Sequence, residues 1–136
     1  MKRFVDTNIF IRILTNDDPT KAQKCLLFFI NLTKSDSLIT SSMNIAEIIW
    51  LLGSFYGLSK QNIYHKMREL KKTAGLIIIS SPNGKLLEQA TSLSAKKNID
   101  FIDCYNASLM KQEKIKEIIT YDKDFEKFTW LKVIRP

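Results

Sequence analysis

The sequence predicts an α/β fold in which helices cover both faces of a mainly parallel sheet, a three-layer α/β/α sandwich. Short β-prone runs alternate with helical patterns along the whole 136-residue chain, as in other folds of this class. The run from Leu76 to Ile79 is apolar at every position, which is typical of a strand buried on both faces of a parallel sheet. The length suits one domain, and we expect residues 1–136 to form it.

Each element is predicted from hydrophobic spacing and from the residues that begin or end it. Pro19 suits a first helical position, Ser41 and Ser42 offer an N-cap, and Gly57 is expected to end the helix that they begin. The predicted strands are Lys2 to Val5, Ser37 to Thr40, Leu76 to Ile79, Ile118 to Thr120 and Trp130 to Ile134. The predicted helices are a short one carrying Ile9, Ile13 and Leu14, then Pro19 to Leu32, Ser42 to Phe55, Leu58 to Lys72, Asn83 to Lys97, and Asp100 to Lys111.

The composition is that of a globular protein with a basic surface. Apolar residues make up 45% of the chain and charged residues 26%, which are ordinary globular values. Lys and Arg number 21 against 14 Asp and Glu, so the formal net charge is +7. Such a charge favours polyanionic partners such as nucleic acid, although a basic surface without a partner has the same composition.

Neither a membrane segment nor a structural disulfide is expected. No apolar run approaches the roughly 20 residues that span a bilayer, and the chain passes from Met1 directly into the first strand without a signal-like stretch. We therefore expect a cytoplasmic protein. Cys25 and Cys104 lie far apart and outside any metal-binding spacing, so both are predicted to be packing residues.

Two acidic residues follow predicted strands directly. Asp6 comes at the end of the first strand, and Asp122 follows Thr120 with one residue between them. Parallel strands present their carboxyl ends at one edge of a sheet, and ligands bind in the crevice at that edge. Asp is also a good N-cap and turn residue, so each acid taken singly has a structural explanation.

Two further acids lie on predicted helices. Glu47 has mostly apolar neighbours at helical spacing, which indicates a partly desolvated carboxylate that needs a metal or a buried basic partner. Asp103 lies in the first turn of its helix, where the helix dipole alone would explain an acid. Asp100 has the position of the N-cap of the same helix.

Together these acids suit Mg²⁺ or Mn²⁺, because hard cations take oxygen ligands from a few carboxylates and from substrate phosphates. Metal-activated water needs no nucleophilic Ser, Cys or His. His65 is expected at the surface or in packing, and Trp50 and Trp130 in the core or at an interface. The candidates for holding a phosphate backbone are Arg12, Lys60, Lys66, Arg68, Lys71, Lys72, Lys96 and Lys97.

Four short motifs, taken in order, resemble those of PIN-domain nucleases, in particular the VapC-type toxins of bacterial and archaeal toxin–antitoxin pairs. The resemblance extends over the whole chain, and the order and spacing of the motifs make it specific. The motifs are Phe4-Val5-Asp6-Thr7-Asn8-Ile9, Asn44-Ile45-Ala46-Glu47, Asp100-Phe101-Ile102-Asp103-Cys104-Tyr105-Asn106-Ala107 and Thr120-Tyr121-Asp122-Lys123-Asp124-Phe125.

The resemblance implies a role for each acid. Asp6, Glu47 and Asp103 would be the core metal ligands, and Asp122 a fourth, outer ligand. Asp124 could replace Asp122 as the outer acid, and we rank Asp122 first. The implied supporting residues are Thr7, Asn8, Asp100 and Thr120.

One stretch departs from the family pattern. Cys104, Tyr105 and Asn106 are more polar and bulkier than the small apolar residues common after the third acid, which predicts altered packing there.

The resemblance also implies an activity and partners. These are Mg²⁺- or Mn²⁺-dependent cleavage of RNA by a homodimer, inhibited by a cognate antitoxin. Two alternatives stay open: a housekeeping RNA-processing nuclease of the same fold, and a nucleic-acid-binding module without catalysis. The second alternative predicts missing acids, whereas this sequence has all four.

Overall fold

A computed structural model describes residues 1–81 and 84–136. Its five strands form one sheet in which every neighbouring pair is parallel, in the order β3-β2-β1-β4-β5. The strands are β1 Lys2–Val5, β2 Ser37–Ser41, β3 Leu76–Ile79, β4 Glu117–Ile119 and β5 Lys132–Ile134. The helices are α1 Thr7–Thr15, α2 Pro19–Ile30, α3 Ser42–Ser54, α4 Lys60–Lys71, α5 Lys85–Lys97 and α6 Phe101–Gln112, followed by a short 3₁₀ helix, Lys123–Lys127.

Alternate residues of the central strands pack against opposite layers of helices. In β1, Phe4 is buried against α5, α6 and the 3₁₀ helix, whereas Val5 is buried against α1 to α4. The register continues this division, because Phe4 pairs with Ile39 of β2 and Ile118 of β4, which share its face. Successive strand side chains point to opposite faces, so the sheet is covered on both sides. The predicted three-layer fold is confirmed.

The edge strand β3 differs from its prediction. Ile77 and Ile78 are 48% and 46% exposed, so the expectation of burial on both faces is wrong. The reason is the sheet order, since β3 pairs only with β2 and lies at one edge. An apolar run indicates strand structure but not the position of the strand within the sheet.

Several helix ends agree with the predicted capping. Pro19 begins α2, and the Ser41 side chain accepts a hydrogen bond from the Asn44 N–H at the start of α3. That helix ends at Ser54, one residue before the predicted Phe55, and Gly57 lies in the following connection with a φ of +68°. The predicted start of the fifth helix, Asn83, lies outside the described residues, and α5 begins at Lys85.

The cysteines are buried, whereas Trp50 and the single histidine are exposed. Cys25 and Cys104 are buried free thiols, as predicted for packing residues. Trp50 is 64% exposed, so it is not a core residue, and its expected place at an interface stays a prediction. His65 lies on the exposed surface of α4, within hydrogen-bonding distance of Gln61.

Among the described residues, no helix combines the length and the apolar character that a membrane span requires.

The strand order places a crevice beside β1. From β1 the chain continues to β2 on one side, and β4 and β5 are added on the other side, so the order reverses between β1 and β4. Open parallel sheets bind ligands at such a reversal, outside the carboxyl ends of the strands. Asp6 directly follows β1, and Thr120 directly follows β4. The fold therefore brings the first and fourth motifs to the same crevice.

Candidate active site

A pocket of about 600 Å³ opens at this crevice, and we call it the acid pocket. Its walls come from α1, α3, the start of α6 and the segment after β4. Arg12 is the only basic residue among its described lining residues. Five carboxylates line it, namely Asp6, Glu47, Asp100, Asp103 and Asp122.

Asp6 is the most constrained of the acids. It caps α1 with Oδ1, which accepts a hydrogen bond of 2.8 Å from the Thr7 N–H. Oδ2 accepts hydrogen bonds from Asn8 Nδ2 (2.8 Å) and the Thr120 hydroxyl (2.7 Å). Burial raises the pKa of Asp6 to about 6 in spite of these donors. The capping explanation and a place in the pocket are therefore both correct for this residue.

Asn8 and Thr120 connect the first motif to the fourth. The Asn8 side-chain oxygen accepts a hydrogen bond from the Tyr121 N–H at 3.1 Å. The Thr120 hydroxyl, which donates to Asp6, accepts a hydrogen bond from the Asp122 N–H at 2.9 Å. Thr120 thus holds the side chain of one acid and the backbone of another.

Glu47 reaches the pocket from α3. Its Oε2 lies 2.8 Å from the Thr7 hydroxyl, which is also 2.9 Å from Asn44 Oδ1. A hydroxyl has one proton, so Thr7 donates to one of these two acceptors at a time. Burial raises the pKa of Glu47, and nearby carboxylates raise it further. The predicted partial desolvation of Glu47 is confirmed.

A buried polar network behind these residues was missed by the sequence reasoning. Asn44 Nδ2 donates to the Val5 carbonyl and to the Thr40 hydroxyl, and Asn44 Oδ1 accepts from Asn106 Nδ2 at 2.7 Å. The Ser41 hydroxyl donates to Asn106 Oδ1 at 2.6 Å. The signal was available, because Asn44 interrupts an apolar helix one turn before Glu47.

The same network corrects the expected disturbance after the third acid. Cys104, Tyr105 and Asn106 are all buried, with at most 4% of their surface exposed. The Tyr105 hydroxyl accepts a hydrogen bond from the Ser81 N–H, and Asn106 has partners for both ends of its amide. The polar groups are paired, so their packing is regular and links α6 to α3.

Asp103 lies in the first turn of α6, as predicted, and its electrostatic environment is the least favourable in the pocket. Its pKa is raised to about 8, first by burial and then by the charges of Asp6, Asp122 and Glu47. Asp100 occupies the N-cap position as expected, but its side chain makes no capping hydrogen bond. Helix capping therefore does not explain the Asp100 carboxylate.

Asp122 is the N-cap of the 3₁₀ helix, and Asp124 lies in its first turn. Asp122 Oδ1 accepts a hydrogen bond of 2.8 Å from the Asp124 N–H. One carboxylate oxygen from each of Asp103, Asp122 and Asp124 lies within 4.8 Å of the others, a separation that a shared metal ion allows. Asp124 also forms an ion pair of 3.0 Å with Lys127 and does not line the acid pocket.

Arg12, the basic residue of the lining, is directed to a partner outside the acid cluster. Its Nη1 lies 2.6 Å from Asp17 Oδ2, which also accepts a 2.7 Å hydrogen bond from the Tyr56 hydroxyl. Its Nε is buried and has no hydrogen-bond partner among the described residues. Among the described residues, no protein cation pairs with the pocket carboxylates, and all their donor atoms are oxygen. This donor set fits a hard divalent cation.

Comparisons with known proteins agree with this fold and these motifs. The chain is 22% identical over 135 residues to the VapC ribonuclease of Aquifex aeolicus (strain VF5), covering 98% of this chain and 96% of that protein. It superposes with a TM-score of 0.78 on Mycobacterium tuberculosis VapC20, a Sarcin-Ricin loop cleaving toxin, at 18% identity, covering 98% of this chain and 99% of the other.

A second similar structure is Rickettsia felis VapBC2 bound to a DNA fragment from its promoter, with a TM-score of 0.70 and 17% identity. The alignment covers 99% of this chain and 98% of that one. At the level of families, the PIN domain matches residues 3–131, nearly the whole sequence. The chain therefore belongs to the PIN domain family.

Proposed function

We propose that this protein is a divalent-metal-dependent endoribonuclease that acts as the toxin of a VapBC-type toxin–antitoxin pair. The observation that carries the proposal is the acid pocket, which five carboxylates line and in which none of them pairs with a cation from the described part of the chain. Such an arrangement is costly for a fold unless a bound cation compensates it. Membership of the PIN family and similarity to a VapC ribonuclease support RNA as the substrate.

We assign the metal site to the pocket acids. Asp6, Glu47 and Asp103 would be the core ligands and Asp122 the outer ligand, with Asp124 as the alternative outer acid. Mg²⁺ or Mn²⁺ bound there would supply Lewis-acid activation of water and would neutralise charge on the leaving oxygen. In the hydrolysis, a water oxygen bonds to phosphorus, the bond from phosphorus to the leaving ribose oxygen breaks, and that oxygen is protonated.

The remaining residues of the site orient these acids and the substrate. Thr7, Asn8 and Thr120 hold the carboxylates of Asp6 and Glu47 by neutral hydrogen bonds, which fixes their oxygens without cancelling their charge. Arg12, the basic side chain of the pocket wall, is partly exposed, and its charge suits a phosphate of the bound RNA. Asp100 lies at the pocket wall and would act from outside the metal ligands.

The partners follow from the toxin assignment. We propose a cognate antitoxin protein, a homodimer and a cytoplasmic location, where the RNA substrate is found. The similarity to the VapBC2 structure supports the antitoxin. We also propose that residues 1–136 form a single nuclease domain, because the family match covers almost all of them.

Cleavage of a mixed RNA pool by the purified protein tests the function. We expect cleavage with Mn²⁺ or Mg²⁺, none with EDTA, and a loss of roughly three orders of magnitude in Asp6→Asn and Asp103→Asn, since a metal ion supplies several kcal/mol of transition-state stabilisation. Glu113→Gln is the matched control, because this acid lies on the exposed end of α6 and should keep full activity.

The outcomes separate the possible functions. Equal activity in wild type and in the two Asp→Asn variants would show that the pocket is not the catalytic site. RNA binding without metal-dependent cleavage would favour a binding module. Metal-dependent cleavage without growth arrest on expression would favour a housekeeping nuclease, whereas a toxin arrests growth until its antitoxin is co-expressed.

A further inference from the structure

A second groove, larger than the acid pocket, lies between α5, α6 and the segment after the 3₁₀ helix. Its volume is about 870 Å³, and it shares no lining residue with the acid pocket. We call it the basic groove and define it by the residues that give it its character: Lys96, Lys97, Lys111, Gln89, Phe128 and Trp130.

Lysines outnumber acids in the lining of the basic groove. Lys96, Lys97 and Lys111 are exposed, and none of them forms an ion pair with any residue that the structure describes. Glu88 is the only acid among the described lining residues. Uncompensated lysines along a groove attract a polyanion and release its counterions on binding.

Aromatic rings lie beside these lysines. Phe128 is buried, and Lys97 Nζ lies 5.9 Å from its ring centroid. Trp130 is 36% exposed, so part of its indole is accessible in the groove. An accessible aromatic ring beside lysines and amide side chains is the combination that binds single-stranded nucleic acid, because bases stack on the ring while the lysines contact phosphates.

The groove and the acid pocket both border α6. Asp103 lines the pocket, and Ala107 and Lys111, which follow at intervals of four residues on the same helix, line the groove. At 1.5 Å per residue, Lys111 lies about 12 Å from Asp103 along the helix axis. Lys97 also precedes the pocket residue Asp100 by three positions. Three residues span no more than about 11 Å between Cα atoms even in extended backbone, so these two residues are close in space.

We infer that the basic groove binds single-stranded RNA that extends from the acid pocket, with a base stacked on Trp130 and phosphates at Lys96, Lys97 and Lys111. This inference rests on the proposed function, because the RNA in the groove is a continuation of the substrate. Base stacking requires unpaired bases, so the groove selects single strands over duplex RNA. An acidic protein segment would use the lysines but not the stacking surface.

Tryptophan fluorescence tests the stacking. Trp50→Phe leaves Trp130 as the single tryptophan of the chain. We expect its emission to be quenched by a short single-stranded oligouridylate in EDTA, where no cleavage occurs, and to change less with duplex RNA of the same length. Emission that stays constant while fluorescence anisotropy of the labelled RNA shows saturation would overturn the stacking at Trp130.

The lysines are tested by a double variant with a matched control. Lys97→Gln combined with Lys111→Gln should weaken binding of the labelled oligouridylate about tenfold and reduce the slope of log affinity against log salt by about 1.4, or about 0.7 for each lost phosphate contact. Lys24→Gln combined with Lys34→Gln removes the same charge from exposed positions outside both pockets and should weaken binding much less.

Equal weakening in the two double variants would show general charge attraction and would contradict the groove. If the groove variant instead converts a dimer into a monomer in light scattering, the groove is an interface between copies and the inference is wrong. Lys97→Arg with Lys111→Arg should keep the affinity, which separates lost phosphate contacts from lost folding.

Cleavage by the same proteins with Mn²⁺ separates this inference from the proposed function. If the wild type cleaves RNA and the groove variant binds and cleaves identically, the groove inference fails and the nuclease stands. If no protein cleaves RNA but the groove variant alone binds it weakly, the proposed nuclease fails and the groove stands.

Discussion

The two edges of the sheet place acidic side chains in opposite electrostatic surroundings. At the amino edge, where the strands begin, Arg3 forms 2.9 Å ion pairs with both Asp36 and Glu117, and Lys132 forms a 2.8 Å pair with Glu117. Hydrogen bonds from Thr33 and the charges of the N-terminus and Arg3 lower the pKa of Asp36 to about 2. The pKa of Glu117 is lowered as well, first by Lys132.

At the carboxyl edge the acids have neutral donors and acidic neighbours. Burial first, and the charges of the surrounding carboxylates after it, raise the pKa of Asp6 to about 6 and that of Asp103 to about 8. Asp6 accepts its hydrogen bonds from a backbone N–H, an amide and a hydroxyl, none of which carries charge.

The charge of the partners therefore separates acids with a structural role from acids of the candidate site within one fold. The amino edge supplies its own cations, so its acids stabilise the protein without any ligand. The carboxyl edge orients its acids with neutral groups and leaves their charge to be compensated from outside. The second arrangement costs stability in the absence of a cation and provides a site when one is present.

Among the changes that test this difference between the edges, the largest effect is expected where the neutral support of the carboxyl edge is removed. Thr120→Val deletes the hydroxyl that donates to Asp6 and accepts from the Asp122 N–H. Loss of a group that orients metal ligands typically reduces activity or metal affinity by roughly 10–100-fold. We expect a loss of this size in RNA cleavage, measured together with the Mn²⁺ concentration needed for half-maximal rate.

Thr120→Ser keeps the hydroxyl and is the control for this prediction. It should restore most of the cleavage, whereas a merely steric role of Thr120 would leave Val, with its similar shape, as active as wild type.

Removing one acid from each edge should change the free energy of unfolding by a smaller amount, with opposite signs at the two edges. In EDTA at neutral pH, folding must either protonate Asp103 or hold its charge among other carboxylates. Asp103→Asn avoids both costs, so we expect the free energy of unfolding to rise by about 1 kcal/mol or more, the equivalent of roughly one pKa unit. Glu117→Gln removes a charge that is paired with Arg3 and Lys132, so it should lower the melting temperature.

Urea unfolding of both variants in EDTA measures the two signs. Mn²⁺ should then stabilise the wild type more than Asp103→Asn, since a cation that binds only the folded protein shifts its unfolding equilibrium. Destabilisation by both substitutions would show that the acid cluster does not strain the fold.

The smallest effect concerns the pH dependence of the amino edge. The pKa of Asp36 is lower in the folded protein than its ordinary value of 3.8, so its contribution to stability is full above about pH 4 and is lost as the pH falls toward 2. Asp36→Asn should therefore melt a few degrees below wild type at neutral pH, and the gap should close between pH 4 and pH 2 in thermal scans. A gap independent of pH would mean that the charge of Asp36 is not what stabilises this edge.

Much of the fold and the candidate site could be predicted from the sequence for local reasons. The alternation of strands and helices identified the three-layer fold, and Pro19 and Ser41 marked helix starts that the structure contains. Asp6 and Asp122 were found because parallel strands end at one edge, so acids placed after strands converge without knowledge of the strand order.

Other features depended on contacts between distant parts of the chain. The pairing of Asn44 with Asn106, the close approach of Asp124 to Asp103, and the direction of Arg12 to Asp17 each require the relative placement of separate elements. Polar side chains have many possible partners, and the sequence does not show which of them packing brings within hydrogen-bonding distance.

The sequence by itself determined the class of fold, the elements and the acids that end at the carboxyl edge, because hydrophobic period, caps and turn residues act over a few neighbouring positions. The tertiary structure alone decided that β3 lies at an exposed edge, that Asp103 has the most perturbed carboxylate, and that lysines of α5 and α6 line one groove. These properties are set by burial and by charge at distances of a few ångströms across the fold, and such distances exist only after the layers have packed.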